Sequence, residues 1–243
     1  MILNPLTSPL TGIIFDCDGT LSRIEGIDEL AAANRVFDIV QRLTQEAMGK
    51  TGMTPEIYAN RLSLTKPSLA QVKALALSYY QNMAADLVAV LAIFRRLQKS
   101  IYIVSAGLLP AVQAFGQMLE IPQENIYAVD IIFDHNNQYQ DFDHGSPLVK
   151  KWGKQSIVEQ IRQKSAELAF IGDGLSDLEV CHLVKRFVGY GGAFFRENIE
   201  KHCEFYIKSI SMSPLLPMLL TENEVNKLTS VERKLYEKGL QIA

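Results

Sequence analysis

The sequence predicts an α/β fold: a doubly wound, mostly parallel sheet core with a small helical cap domain inserted after the first strand. Three observations predict it. From Asp86 onward, short apolar runs alternate with helical stretches, the pattern of a parallel sheet covered on both faces. Between the first apolar run and Asp86 there is no convincing strand, so that interval reads as a helical insert. Turns rich in Asp, Gly or Ser follow several apolar runs, and in open α/β sheets ligands bind at the carboxyl ends of strands.

The run Gly12-Ile13-Ile14-Phe15, followed by turn residues, reads as a buried strand. Leu30, Val36, Ile39, Val40 and Leu43 then recur at helical spacing, with Gly49 and Gly52 ending that segment. Thr54-Pro55-Glu56 reads as a helix start, with Thr54 as cap and Pro55 at the first helical position. Ser68 caps a further helix, to which Val72, Leu75, Leu77 and Tyr79 supply apolar contacts. A helix near Leu87–Leu97 leads into a strand at Ile101–Val104, and one near Pro110–Leu119 leads into Ile126–Phe133. Asp134-His135-Asn136-Asn137 is a turn, and Tyr139–Phe142 returns from it to close a small hairpin. Helices near Ser156–Gln163 and Leu178–Val184 feed strands at Leu168–Ile171 and Phe187–Tyr190. Glu222–Leu240 reads as a terminal helix. The expected division is a Rossmann-like core of residues 1–25 and 86–220, a helical cap of 26–85, and a helical extension of 221–243.

Composition narrows the function classes. The chain has 243 residues, 48% hydrophobic and 21% charged, enough for a substantial core and not the signature of disorder. Its net charge of -3 and the absence of a long Lys/Arg run predict no nucleic-acid partner. The longest apolar run, Leu87–Phe94, is too short to span a bilayer, so no membrane partner is expected. The first basic residue is Arg23, so the start lacks the charged region of a signal peptide. Cys17, Cys181 and Cys203 match neither zinc spacing nor a disulfide framework, which predicts a reducing, cytoplasmic setting. The four histidines show no ligand or triad spacing.

Four places carry groups suited to phosphate chemistry. In Asp16-Cys17-Asp18-Gly19-Thr20, residues two apart in an extended segment project together, so the carboxylates of Asp16 and Asp18 meet where the strand ends. Two carboxylates so close repel, and a hard cation such as Mg²⁺ removes the conflict, leaving one as a nucleophile for phosphoryl transfer. Ser105-Ala106-Gly107 follows a strand and offers a hydroxyl and approachable backbone N–H groups to a phosphate oxygen. Lys154, near a helix start, can neutralise a transferring phosphoryl group. Gly172-Asp173-Gly174-Leu175-Ser176-Asp177 brings two more carboxylates to a second strand end, able to complete a Mg²⁺ site. Read singly, each has a plainer alternative: a strand-end turn for the pentapeptide and the tripeptide, a solvated surface residue for Lys154. Together and in this order they are hard to explain by turn chemistry.

The order resembles that of the haloacid dehalogenase superfamily. The stretch from Asp16 to Ala31, then Glu46-Ala47-Met48-Gly49 and Asn60-Arg61-Leu62-Ser63-Leu64, is similar to the phosphoserine phosphatase family within it. Phe170–Asp177, Gly189-Tyr190-Gly191-Gly192 and Arg196 resemble the eukaryotic-type branch. The resemblance implies Asp16 as nucleophile and Asp18 as the acid and base. It implies Ser105, Gly107 and Lys154 as phosphate holders, with Ala106 and Ser176 beside the substrate. Asp16, Asp173 and the Asp18 carbonyl would ligate Mg²⁺, supported by Asp177. Glu25 would face the substrate ammonium, Arg61 would pair with its carboxylate, and Arg196 would brace Glu25. Glu25 as an ordinary first-turn helix acid and Arg61 as an exposed helical arginine are the plainer readings. The family also makes a homodimer an expectation. Three departures stand out: Gly19 where the family has serine, Ala106 where it has glycine, and Met53-Thr54-Pro55 where a phenylalanine precedes the arginine helix.

The reading that follows is a Mg²⁺-dependent phosphomonoester hydrolase working through an aspartyl-phosphate, with O-phospho-L-serine as substrate. Two alternatives stay open: a phosphatase or phosphotransferase for another small ester (phosphoethanolamine, phosphothreonine, histidinol phosphate), and a non-catalytic binding protein on this fold.

Overall fold

The computed structural model describes residues 5–46 and 54–242. Strand β1 (Gly12–Phe15) is followed by helices α1 (Gly26–Ala33), α2 (Phe37–Glu46), α3 (Pro55–Thr65) and α4 (Leu69–Gln81). Then come α5 (Leu87–Arg96), β2 (Ser100–Leu108), α6 (Leu109–Met118), β3 (Ile126–Val129), and a hairpin of β4 (Ile131–Phe133) and β5 (Tyr139–Phe142). The remainder is α7 (Gly153–Arg162), β6 (Leu168–Gly172), α8 (Leu175–Leu178), β7 (Arg186–Tyr190), α9 (Glu197–Glu200), β8 (Phe205–Ile207), α10 (Leu215–Leu219), α11 (Glu222–Val225) and α12 (Ser230–Ile242).

Six strands form one parallel sheet in the order β3-β2-β1-β6-β7-β8. All four β1 residues are buried, as their unbroken apolar character requires of a central strand covered on both faces. Phe15 pairs with Ile103 on one side and Ile171 on the other. Phe15, Phe94, Phe115 and Phe170 are fully buried in the core, each contributing about 1.5–3 kcal/mol relative to an exposed ring. The chain runs outward from β1 through β2 to β3, returns beside β1 as β6, and runs out again through β7 to β8. The ends of β1, β2 and β6 therefore share the crevice where strand order reverses.

Local signals explain the helices between β1 and α5. Thr54 accepts a hydrogen bond from Ile57 N–H, with Pro55 at the first helical position. Ser68 and Gln71 form a capping box. Several sequence expectations need correction. The segment from Leu30 to Leu43 is two helices, because Arg35 takes a left-handed φ of 62° and the Asn34 amide turns to the Thr65 carbonyl. Leu77 points to solvent, on the face of α4 opposite buried Val72, Leu75 and Tyr79. Ile126–Phe133 divides at Asp130 between two sheets. The helix expected at Leu178–Val184 is a short one at Leu175–Leu178 followed by a 3-10 turn, and β8 was unexpected. The terminal helix is interrupted, giving α11 and α12. Glu46-Ala47-Met48-Gly49 ends, and Gly49, Gly52 and Met53 lie, outside the residues whose side chains are described.

The terminal helices pack on the core. Glu224 of α11 forms a buried ion pair with Lys99, Glu232 pairs with Arg96, and Lys238 pairs with Asp86. Among the described residues, no helix is long and apolar enough to cross a membrane.

Candidate active site

Asp16 leaves β1 with its N–H still bonded to the Ile171 carbonyl, which fixes the carboxylate at the end of the central strand. Lys154, in the first turn of α7, lies 2.9 Å from Asp16 Oδ1 and 2.6 Å from Asp177 Oδ1. All three side chains are buried. Asp18 projects into the same cavity as Asp16. Its Oδ1 accepts from the Gly26 N–H at 2.5 Å and from the Tyr79 hydroxyl at 2.8 Å, and its Oδ2 accepts from the Ser105 hydroxyl at 3.4 Å. The Gly107 N–H donates to Ser105 Oγ at 2.9 Å. Ser105, Ala106 and Gly107 belong to β2 itself, where its pairing with β3 slips between Val104 and Leu108, and are not a turn that follows the strand. Ala106 has no left-handed φ, so its methyl group brings no backbone strain.

Asp173 and Asp177 lie behind the cavity, both fully buried. One carboxylate oxygen each from Asp16, Asp173 and Asp177 falls within 4.8 Å of the others. Gly19 makes room for this cluster. Its φ is +71°, and a Cβ there would sit 2.6 Å from Asp173 Oδ2. Arg196 Nη2 donates to Asp173 Oδ2 at 2.9 Å and stands 3.7 Å from Glu25 Oε1, so it is turned chiefly to Asp173.

Burial raises the carboxyls, and the cations only partly offset it. Burial pushes Asp16 well above the usual carboxylate range, with Lys154 pulling down and Asp177 and Asp173 pushing up. Asp173 is raised to about 6 by burial, against the pull of Arg196. Burial raises Asp18, while the Gly26 and Tyr79 hydrogen bonds oppose it. Glu25 is pushed well up by burial and by the charges of Asp18 and Asp173. Burial alone would lower Lys154, but Asp16 and Asp177 outweigh it and hold the ammonium charged. Asp16, Asp18, Glu25, Asp173 and Asp177 thus face Lys154, Arg196 and Arg61, an excess of acid that fits a divalent cation. The all-oxygen donor set and the room left by Gly19 suit Mg²⁺.

The helices after β1 supply the opposite wall. Arg61 of α3 is buried, and its Nη1 lies 3.4 Å from Thr44 Oγ1, which itself donates to Asp28 at 2.8 Å. Glu25 and Arg61 both line the cavity, as do Ala106 and Ser176. The site residues expected from sequence therefore gather at one place, nine of them on the cavity and Asp173, Asp177 and Arg196 behind it. Sequence reasoning missed the polar role of Tyr79 and the place of Tyr58 on the cavity wall. Tyr79 counted only as an apolar contact, although a buried tyrosine usually finds a hydrogen-bond partner. Gly26 is the other missed residue: any Cβ there would overlap the Tyr79 hydroxyl.

The arrangement is that of a phosphoryl-transfer site, with paired acids, a buried lysine and a buried acidic cluster able to hold a cation at the switch point of a doubly wound sheet. The family model described as haloacid dehalogenase-like hydrolase matches residues 10–182, and the chain belongs to that family. Within it the chain is a phosphoserine phosphatase-like phosphoric monoester hydrolase. It is 29% identical over 197 residues to phosphoserine phosphatase of Bos taurus, covering 80% of this chain and 88% of the relative. It is 31% identical over 199 residues to the chloroplastic phosphoserine phosphatase of Arabidopsis thaliana, covering 80% of this chain and 68% of the relative. A solved substrate-bound phosphoserine phosphatase complex has the same fold, with a TM-score of 0.76 at 20% identity over 86% of this chain and 98% of that one.

Proposed function

We propose that the protein hydrolyses O-phospho-L-serine to L-serine and phosphate in a Mg²⁺-dependent reaction through a phosphoryl group carried on Asp16. One observation carries this reading: the cavity that holds Asp16, Asp18 and Lys154 is walled by a partly buried acid, Glu25, and a buried base, Arg61, one for each charge of an amino-acid zwitterion. Residues 26–85 act as the cap that carries Arg61.

Asp16, Asp173 and the Asp18 carbonyl would hold Mg²⁺, with Asp177 supporting them, and the bound ion would neutralise charge on the phosphoryl oxygens. An Asp16 carboxylate oxygen attacks phosphorus as the ester P–O bond breaks. Asp18, whose proton affinity burial raises, gives its proton to the departing serine oxygen. Asp18 then takes a proton from water, whose oxygen attacks phosphorus and releases Asp16 and inorganic phosphate. Lys154 offsets the charge of Asp16 and the phosphoryl group, and the Ser105 hydroxyl and Gly107 N–H hold phosphate oxygens. Arg196 steadies Asp173, and Ser176 lies beside the substrate.

The Ala106 methyl in the cavity favours one second reading, a different small phosphomonoester or phosphoryl transfer to another alcohol. The test is phosphate release from phosphoserine, phosphothreonine, phosphoethanolamine and histidinol phosphate, with Mg²⁺ and with EDTA, and with Asp16→Asn as control. A Mg²⁺-dependent preference for phosphoserine supports the proposal. Efficient cleavage of another ester with phosphoserine ignored refutes the substrate, and turnover no greater than the control refutes the chemistry.

A further inference from the structure

Tyr58 is almost fully buried, lines the cavity, and its hydroxyl has no hydrogen-bond partner among the described residues. More than nine in ten buried polar groups in native proteins are paired, and an unpaired one costs about 1–3 kcal/mol. Glu25 Oε1 shares this condition on the wall of the same cavity, and the zwitterion reading gives it an ammonium group to meet. That reading leaves the Tyr58 hydroxyl unexplained.

Its surroundings say what it would meet. Tyr58 stands one helical turn before Arg61 on α3, and the guanidinium lies 5.8 Å from the centre of its ring. Phe142 of β5 packs on the ring at 5.0 Å, so the phenol is held in place from the core side. Burial holds the phenol well above its ordinary range, so it is a donor at any working pH. The residues proposed to hold the phosphate, Lys154, Ser105 and Gly107, come from α7 and β2, not from α3. A carboxylate has about four lone-pair sites, and a guanidinium fork uses two of them.

We propose that Tyr58 is a specificity-determining residue whose hydroxyl donates to a carboxylate oxygen of the substrate, beside the Arg61 guanidinium. The inference rests on the amino-acid phosphate reading. It makes recognition of the carboxylate a two-residue device on one helix face, with Arg61 giving charge and Tyr58 giving direction.

The test compares wild type with Tyr58→Phe on O-phospho-L-serine and on phosphoethanolamine, which lacks the carboxylate. The expected result is a rise of about tenfold in KM for phosphoserine and a fall of about tenfold in the preference for it over phosphoethanolamine. The competitive inhibition constant of L-serine should rise by a similar factor, and this reads binding without the chemical step. The ring and its packing on Phe142 are kept and an unpaired hydroxyl is removed, so the melting temperature should not fall. An unchanged preference and L-serine inhibition constant would overturn the inference while leaving the phosphoserine reading intact, as would an equal loss on both esters. A wild-type enzyme with no preference for phosphoserine would overturn both.

Discussion

Tyr79→Phe removes one hydrogen-bond donor from Asp18, the residue proposed to carry the proton. The phenol donates to Asp18 Oδ1 at 2.8 Å from a fully buried position. A hydrogen bond to a charged group is worth about 1.5–3 kcal/mol, and each 1.36 kcal/mol is about tenfold in rate. Asp18 keeps the Gly26 N–H at 2.5 Å and the Ser105 hydroxyl at 3.4 Å, so the lower end of the range applies. We expect kcat to fall about tenfold with KM within about twofold, since the lost bond touches Asp18 and not the substrate. The direction of a second change is fixed by the bond: it favours the ionised carboxylate, so losing it raises Asp18 further. The limb of the kcat–pH profile that Asp18 sets should move upward. Packing is retained, because the ring still meets Phe115 at 5.5 Å. Steady-state phosphate release across pH measures both effects. Gly26→Ala, which thrusts a methyl group into the Tyr79 hydroxyl, should lower kcat in the same way. A Tyr79→Phe enzyme with kcat within twofold of wild type and an unmoved kcat–pH profile would refute the reasoning.

Gly19→Ser places a side chain on a left-handed backbone and against Asp173, so Mg²⁺ affinity, read by titration of activity or of melting temperature, should fall at least tenfold. Asp173 titrates at about 6, above its unfolded value, so in the metal-free protein its contribution to stability is full below about pH 4 and is lost as pH rises through about 6. Mg²⁺ competes with that proton, and the rise in melting temperature on adding Mg²⁺ should be larger at pH 7.5 than at pH 5.5. Lys99→Met strands the buried Glu224 carboxylate and should cost about 3–5 kcal/mol in denaturant unfolding, with Lys99→Met/Glu224→Gln recovering most of the loss.

The part of the site on strand ends was legible because its chemistry demands close spacing in sequence. Asp16 and Asp18 sit two apart at the end of β1, and Asp173 and Asp177 four apart at the start of α8, so each pair is visible locally. The Tyr79–Asp18 bond spans 61 residues and depends on where α4 docks, which no local pattern encodes. Lys99 and Glu224 are 125 residues apart for the same reason. The sheet was legible wherever strands were long and apolar. It failed at Asp130, whose side chain bonds the Ile131 N–H and whose carbonyl accepts from Asp143, turning an apparently continuous apolar run into two strands. It failed again at β8, where three residues are too few to give a pattern.

The core and the helices after β1 divide the work unequally. The phosphate end is built from strand termini and the first turn of α7, all fixed by the sheet, and so can be the same for any phosphomonoester. Arg61 and Tyr58, the residues proposed to read what the phosphate is attached to, come from α3. Yet Asp18 accepts one of its bonds from Tyr79 on α4 and another from Gly26 at the start of α1, so the proposed proton carrier is held by helices that wall the same cavity as α3. A displacement of α4 that broke the 2.8 Å bond would free Asp18 as it opened the cavity, whereas the packed arrangement aligns the acid only when the pocket is walled off. Coupling proton delivery to pocket closure is a physical route to selectivity in a site whose phosphate chemistry has none of its own, because an ester that cannot hold the helices in place also fails to hold the acid.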